Sequence, residues 1–409
     1  MNPIQIMIIG AGNRGNVYAS YSKSFPDEMQ VLAVAEPNPK KRNAFAKAYP
    51  LSNSHCFESW EEAIGENPPV NAVIISTQDQ MHVGPALAAL GAGYHVLLEK
   101  PIATTIEDCR TLARKAEKSG KIFGLCHVLR YTSHYKTMKH IIDSGLIGDV
   151  VSMEHIEPVN YWHTAHSYVR GNWRRKDNST PMILAKSCHD MDLLRWFADA
   201  PCKSISSFGS LTHFKLENAP EGSTKRCMDN CSVEPKCPYS ALKLYLDMEL
   251  TGWPVNVITD DLSEQGRTKA LQEGPYGRCV YHCDNDVVDH QVVSMEFENK
   301  ITASFTMSAF TNGHRRTRIM GTMGEIIGDF QTITVTDFRN NKTETVWNQE
   351  SDDQYGHGGG DYGLINQFLT AVRANDPSLF ESSIESSLES HLMAFAAEES
   401  RINNKVVEL

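Results

Sequence analysis

The chain begins with Gln5-Ile6-Met7-Ile8-Ile9 followed directly by Gly10-Ala11-Gly12-Asn13-Arg14-Gly15. A short apolar strand thus runs into a G-x-G-x-x-G turn, and each glycine has a physical reason. Gly10 permits a tight turn, Gly12 lets the backbone approach a pyrophosphate, and Gly15 lets the next helix pack closely on the strand. That helix presents free N–H groups and a partial positive charge to the phosphates. A second apolar run, Met29-Gln30-Val31-Leu32-Ala33-Val34-Ala35, ends on Glu36. It lies about twenty residues past Gly15, where an acid meets the ribose. A carboxylate there accepts bonds from ribose hydroxyls and repels a 2′-phosphate, so the pattern predicts NAD rather than NADP. Lys40, Lys41 and Arg42 follow closely and oppose that preference.

Outward from this stretch, strand and helix alternate. Strands are expected at 72–76, 94–98 and 121–126, and helices at 39–49, 85–90 and 106–118. Near-continuous apolar strands between helices predict a parallel sheet covered on both faces. Beyond residue 127 the pattern changes to a helix at 134–144 and strands at 150–156, 292–297, 301–310, 316–320, 325–330 and 332–338. Their spacing and Asn- or Gly-bearing turns predict an open, largely antiparallel sheet. A helix over 186–198 would carry His189, and two more are expected at 361–373 and 383–403. The fold class is therefore α/β: an N-terminal Rossmann domain with a doubly wound parallel sheet (1–126, NAD-binding), then a C-terminal α+β domain (127–409) for substrate binding and oligomerisation. The last helices are free to return to the first domain. Residues 217–285 are the least regular.

At 409 residues, two domains are the natural expectation. A net charge of −11 argues against nucleic-acid binding. No apolar run approaches the roughly 20 residues needed to span a membrane, and the short run before Gly10 is no signal peptide. A cytoplasmic location is expected, and the ten cysteines then read as free or metal-bound thiols rather than a disulfide framework.

Glu99-Lys100-Pro101 stands at the carboxyl end of the strand at 94–98, where such sheets receive ligands. Together, 10–15, Glu36, this tripeptide and Ser187-Cys188-His189-Asp190-Met191-Asp192 resemble the Gfo/Idh/MocA superfamily of NAD(P)-dependent oxidoreductases, across most of the chain. The resemblance implies activity on sugars, inositols and their derivatives, with Lys100 and His189 facing the nicotinamide. It also implies an open sheet that forms a homo-oligomer face. Gly10, Gly12, Asn13, Arg14, Gly15, Glu36, Thr77, Glu99, Lys100 and His127 are the expected cofactor contacts. His127-Val128-Leu129-Arg130 stands where the family often has Asn-x-x-Arg, so Arg130 matches and His127 replaces the amide. Inositol-dehydrogenase-like members carry an Asp four residues before the catalytic His. Here that residue is Ala185, followed by Lys186. Two ammonium groups beside one pocket lower each other's pKa, which favours a neutral base; they equally suit an anionic substrate. Lys100, His189 and Lys186 are the catalytic candidates.

The segment 160–175 is dense in aromatic, His and Arg side chains. Flat rings suit sugar C–H faces and forked donors suit hydroxyls or carboxylates, so Tyr161, His163, Tyr168, Arg170, Trp173 and Arg174 are expected at the substrate. His357, in the glycine-rich loop 355–361, is expected to close over it, and Asp361 to cap the following helix. Cys227, Cys231, Cys237 and Cys279 are expected to lie together and hold one structural metal centre. Zinc is the default, with an iron–sulfur cluster open because Pro238 follows Cys237; reduced, partly buried thiols are the plain alternative.

Three functions fit. The first is a dehydrogenase acting on a ring hydroxyl of a sugar, glycoside or cyclitol. The second is an NAD-dependent glycosidase: oxidation at C3 acidifies C2–H, the aglycone is eliminated, water adds and the ketone is reduced back. His163, Tyr168 or Lys186 would then serve the extra proton transfers. The third is a non-catalytic NAD-dependent sensor, which the retained Lys100 and His189 count against.

Overall fold

The computed structural model describes residues 2–349 and 357–409. Six strands, β1 (Ile4–Ile9), β2 (Met29–Ala35), β3 (Cys56–Phe57), β4 (Ala72–Ile75), β5 (His95–Leu98) and β6 (Phe123–Leu125), form a sheet in the order β3-β2-β1-β4-β5-β6. Every pairing in it is parallel. All four residues of β4 are buried, as an Ala-Val-Ile-Ile run covered on both faces requires. Strand order reverses between β1 and β4, so the crevice beyond their carboxyl ends is the place for a ligand. The two-residue β3 was not anticipated, being too short to leave a periodic signal.

The second sheet comprises β7 (Val150–Pro158), β8 (Cys202–Ser210), β9 (His290–Phe297), β10 (Thr302–Ser308), β11 (Arg316–Gly321), β12 (Gly324–Gly328), β13 (Thr332–Asp337), β14 (Lys342–Asn348) and β15 (Val407–Glu408). Their order is β14-β13-β12-β11-β7-β10-β9-β8-β15. The sheet is mixed and mostly antiparallel: β7 and β10 are its one parallel pair among the described residues. On one face, Met153, Val293, Met295, Phe305 and Ile319 share a core with the helices Cys188–Ala198 and Ile384–Asn403. On the other, Ile156, Thr306, Val292 and Phe208 stand opposite one another in register, and Ile156, Val292 and Phe208 are exposed.

The expected helix over 186–198 is divided. Met182–Ala185 and Cys188–Ala198 are separate helices, with Lys186 and Ser187 at the break. The end of the chain ties the sheets together. Leu364, Ile365, Phe368 and Leu369 of the helix Gly360–Ala374 lie in the core of β1. The helix Ile384–Asn403 gives Ile384 to the core beside β5 and Met393, Ala394 and Ala397 to the second core. The irregular segment builds a small core of its own from Cys227, Ala241, Tyr245, Val255, Leu271 and Tyr276. Among the described residues no helix is long and apolar enough to cross a membrane.

Candidate active site

At the crevice, Gly10 has φ +93°, and a Cβ there would meet Ser76 O at 2.8 Å. A Cβ on Gly15 would meet Gly10 O at 2.1 Å. Above Gly12 a Cβ would meet nothing within 4 Å. The loop is thus closed beneath and open where a pyrophosphate approaches. The helix Asn13–Ser24 starts from Gly12 without a side-chain cap, leaving its first N–H groups for an anion. Asn13 is exposed beside them. Thr77 follows β4, its backbone N 3.2 Å from where a Gly10 Cβ would stand. Glu36 reaches the same loop: its Oε2 accepts from Ala11 N and its Oε1 from Asn38 N, each at 2.9 Å. The residues present fit a dinucleotide.

Arg14 lies in this loop, yet its guanidinium turns inward. It donates to Glu99 Oε1 at 2.7 Å, to Asp361 Oδ1 at 2.5 Å and to the Tyr18 hydroxyl at 2.5 Å. Asp361 does not cap its helix, whose N-cap is Gly359. It joins Arg14 to His357, whose Nδ1 lies 2.9 Å from Asp361 Oδ2. Burial alone would push the Glu99 carboxyl up, but Arg14 and Lys100 outweigh it and hold Glu99 below its ordinary range. Tyr355 and Gly356 of the expected closing loop lie outside the described residues.

Lys100 follows Glu99 at the end of β5, and its Nζ donates to Ala185 O at 2.7 Å. His189, in the first turn of Cys188–Ala198, has a buried Nδ1 without a hydrogen-bond partner. Burial, then Lys100 and His127, hold its pKa well below the ordinary imidazole value, which keeps the imidazole neutral. Beneath it, His127 is fully buried between His189 and His391, its ring centroid 5.7 Å from each. His127 Nδ1 is 2.6 Å from Asp192 Oδ1, off the line of a hydrogen bond. Arg130 grips Asp192 with two bonds of 2.6 and 2.7 Å.

Lys186 faces a buried charge cluster that the sequence reading missed. Its Nζ is 3.7 Å from Glu157 Oε1. The Arg315 guanidinium sits between Glu157 and Asp190, with Nε 2.7 Å from Asp190 Oδ1 and Nη2 against Glu157. His155 Nε2 bonds Asp190 at 2.9 Å. Burial lowers the Lys186 pKa and Arg315 and Lys100 add to that, with Glu157 opposing. The signal for this cluster lay in β7: alternation puts Met153, His155 and Glu157 on its buried side, and a carboxylate there demands a cation.

Of the expected substrate residues, His163 is half-buried near Lys186, Arg315 and Lys100, and desolvation with Lys186 pushes its pKa down. Tyr168 is buried near Glu157 and Asp79. Trp173 donates to Asp79 at 3.2 Å. These three gather with Lys100, Lys186 and His189. Tyr161 instead packs edge-on to Tyr239. Arg170 points into the irregular segment, bonding Arg278 O and Tyr239 O at 2.7 Å each. Arg174 forms a partly exposed pair with Asp284.

Comparison with known proteins agrees with this geometry. Residues 4–127 match the family GFO_IDH_MocA, described as "Oxidoreductase family, NAD-binding Rossmann fold", and 139–409 match its "C-terminal alpha/beta domain". The chain belongs to the Gfo/Idh/MocA oxidoreductase family. It is 26% identical over 309 residues, 70% of this chain and 76% of the relative, to the 1-carboxy-3-chloro-3,4-dihydroxycyclohexa-1,5-diene dehydrogenase of Comamonas testosteroni. It is 31% identical over 43% of its length to 1,5-anhydro-D-fructose reductase of Ensifer adhaerens, covering 52% of that protein. The scyllo-inositol dehydrogenase of Lactobacillus casei, solved with NAD(H) and scyllo-inositol, shares the fold at a TM-score of 0.69 and 19% identity, covering 100% of this chain and 99% of that one. The chain is accordingly an NAD-binding, dehydrogenase-like oxidoreductase.

The four thiols are neighbours, as expected: Cys237 feels the charge of Cys227 and Cys231, Cys279 feels that of Cys227 and Cys237, and Arg226 and Arg278 pair as a β-bridge just before Cys227 and Cys279. No three of Cys227, Cys231, Cys237 and Cys279 bring their sulfurs within 4.8 Å of one another. Cys227 receives Arg170 Nη2 at 3.8 Å and packs toward the core around Tyr245, and Cys279, on the paired backbone, packs toward Phe214 and Tyr281. The described residues hold one trio at ligand spacing, His127, Cys188 and His391. Both nitrogens of His391 are engaged, Nε2 by Ile102 N at 2.9 Å and Nδ1 with Ser387 O at 2.7 Å, which leaves no lone pair there for a metal.

Proposed function

We propose that this chain oxidises or reduces a ring hydroxyl of a sugar, glycoside or cyclitol, using NAD. The observation that carries this reading is the convergence of Lys100, Lys186, His189, His163 and Tyr168 at the carboxyl end of β5, beside a dinucleotide-shaped glycine loop. Gly12, the first turn of Asn13–Ser24, Thr77 and Glu36 would hold the cofactor, which supplies a hydride acceptor or donor. The residues around it bind the hydroxyl and handle its proton. Lys100, anchored on Ala185 O, donates to the substrate oxygen and stabilises developing negative charge. His189, kept neutral by burial and Lys100, takes the hydroxyl proton. Lys186, its ammonium form disfavoured by burial, is a second acid–base group. A panel of sugars and cyclitols with NAD⁺, read at the NADH band, tests the proposal; no NADH from any member would sink it.

A second reading is favoured by the number of titratable groups. A simple alcohol oxidation needs one base, and this pocket adds Lys186, His163, Tyr168 and Glu157. Those extra groups suit a glycosidase that oxidises transiently at C3, eliminates the aglycone and reduces the ketone back. Released aglycone without net NADH separates it from the dehydrogenase.

Three further assignments accompany this reading. The exposed row of Ile156, Val292 and Phe208 on the second sheet is the proposed homo-oligomer face, tested by light scattering on the Phe208→Lys variant. A cytoplasmic location is tested by fractionation. A structural zinc or iron–sulfur centre at Cys227, Cys231, Cys237 and Cys279 requires those side chains to close from their present separations, and metal analysis of anaerobically purified protein decides it.

A further inference from the structure

The irregular segment returns to the mouth of the pocket through one side chain. Trp253 is 41% exposed, while its neighbour Val255 is buried in the segment's own core. Scattered exposed apolar residues are ordinary, but this one is buttressed on several sides. Its ring centroid lies 4.9 Å from His163 at an interplanar angle of 79°, 5.4 Å from Trp162 at 57°, and 5.4 Å from His166 at 83°. His163 is 6.0 Å from Tyr168, and Tyr168 is 6.3 Å from Trp173. A continuous file of rings therefore runs from the pocket interior to solvent, with Trp253 at its outer end.

The position matters because His163 is the link. It is felt electrostatically by Lys186 and Lys100, the groups that would address the reacting hydroxyl. Trp253 thus packs edge-on against the ring that feels those ammoniums. An indole is a large flat apolar surface with few rotatable bonds, and contacts on several sides fix this one before any ligand arrives, so little ordering entropy remains to be lost.

We propose that Trp253 forms a second carbohydrate subsite, which takes a glycosidically linked sugar beyond the ring whose hydroxyl meets Lys100 and His189. The inference rests on the reading of the inner pocket as a sugar site, and makes the preferred substrate a glycoside rather than a free monosaccharide.

Calorimetric titration of the NADH-loaded, full-length protein tests it, with cellobiose, maltose and lactose as probes against methyl β-glucoside, methyl α-glucoside and methyl β-galactoside. At least one disaccharide should bind about tenfold tighter than its monosaccharide, the scale of one good ring contact. Trp253→Ala should erase that advantage and leave monosaccharide and NADH binding unchanged. Trp253→Phe should keep most of it. If Trp253→Ala no longer holds NADH, Trp253→Leu takes its place, since it keeps apolar contact but removes the flat face. The proposal is overturned if no wild-type disaccharide advantage exists, if the advantage survives the loss of the ring, or if both sugar classes weaken equally. It is equally overturned if loss of the ring changes only the oligomeric state, which would make Trp253 an interface residue. Failure of the oxidoreductase reading looks different: disaccharides bind with the advantage, yet neither NADH nor aglycone appears with NAD⁺.

Discussion

Glu36 should make this protein prefer NADH to NADPH, and the structure gives the size of the effect. Its carboxylate is fixed at the glycine loop by Ala11 N and Asn38 N, so it cannot swing away from a 2′-phosphate. Two unit charges about 5 Å apart interact by about 3 kcal/mol at an effective dielectric of about 20. Screening by salt at an open crevice reduces that, leaving a preference of about 10- to 100-fold. The nearby cations offset little of it. Arg42 is committed to Glu36 O at 2.6 Å and Glu58 at 2.7 Å, and Lys40 and Lys41 are exposed. Glu36→Gln removes the charge at nearly constant shape. Its damage to the loop weakens both cofactors alike and cancels in their ratio. Titrating wild type and variant with NADH and NADPH should give a wild-type preference of at least about tenfold that falls toward unity in the variant. Equal wild-type affinities, or an unchanged ratio in Glu36→Gln, would refute the reasoning.

Lys100→Ala and His189→Ala should each lower turnover by about 100-fold or more, while NADH binding survives His189→Ala; normal turnover in that variant removes His189 from the mechanism. Arg14→Ala strands the buried Glu99 and Asp361 carboxylates and should cost about 3–5 kcal/mol in denaturant unfolding, with Arg14→Ala/Asp361→Asn recovering part; a loss under about 1 kcal/mol would mean the clamp carries little of the domain contact. Stability should also fall on mild acidification. Burial pushes His134 down to about 4 and His166 and His391 to about 3, so from about pH 6.5 downward the unfolded chain binds protons that the folded chain refuses. Each should cost about 1 kcal/mol between pH 7 and pH 5.5, and a flat denaturant midpoint over that window contradicts the burial argument.

The first sheet was legible because its signals are local. β1, the glycine turn and Glu36 fall within the 33 positions from Ile4 to Glu36, and each residue type answers to a constraint within that stretch. What sequence could not show was partnership across long separations. Arg14 reads as a cofactor residue from its place in the loop, but its guanidinium is claimed by Glu99 and by Asp361, 347 positions away. Arg170 reads as a sugar ligand in an aromatic-rich run, yet it is drawn to carbonyls 69 and 108 positions on. The four cysteines were legible in part: their neighbourhood is as read, but no three sulfurs reach ligand distance of one another. β8 and β14 went unseen for another reason. One is Ser- and Gly-rich and the other an exposed edge, so neither shows clean alternation.

The departure at Ala185 then acquires a physical meaning. A carboxylate at that position would sit against the Lys100 ammonium and fix its charge. Here the partner of Lys100 is the backbone carbonyl of Ala185, a neutral acceptor that orients the ammonium without cancelling it. Negative charge is supplied instead by Glu157 and Asp190, and both are already shared with Arg315 and Lys186. The Lys100 Nζ therefore carries no carboxylate of its own on the side of Ala185, and its charge is part of why the His189 imidazole stays neutral. Placing an acid back at this position separates the alternatives. Ala185→Asp should neutralise Lys100, raise the His189 pKa and move the acid limb of the kcat/KM profile to higher pH. If the limb does not move, the charge of Lys100 does not set the state of His189, and the base must be sought in Lys186.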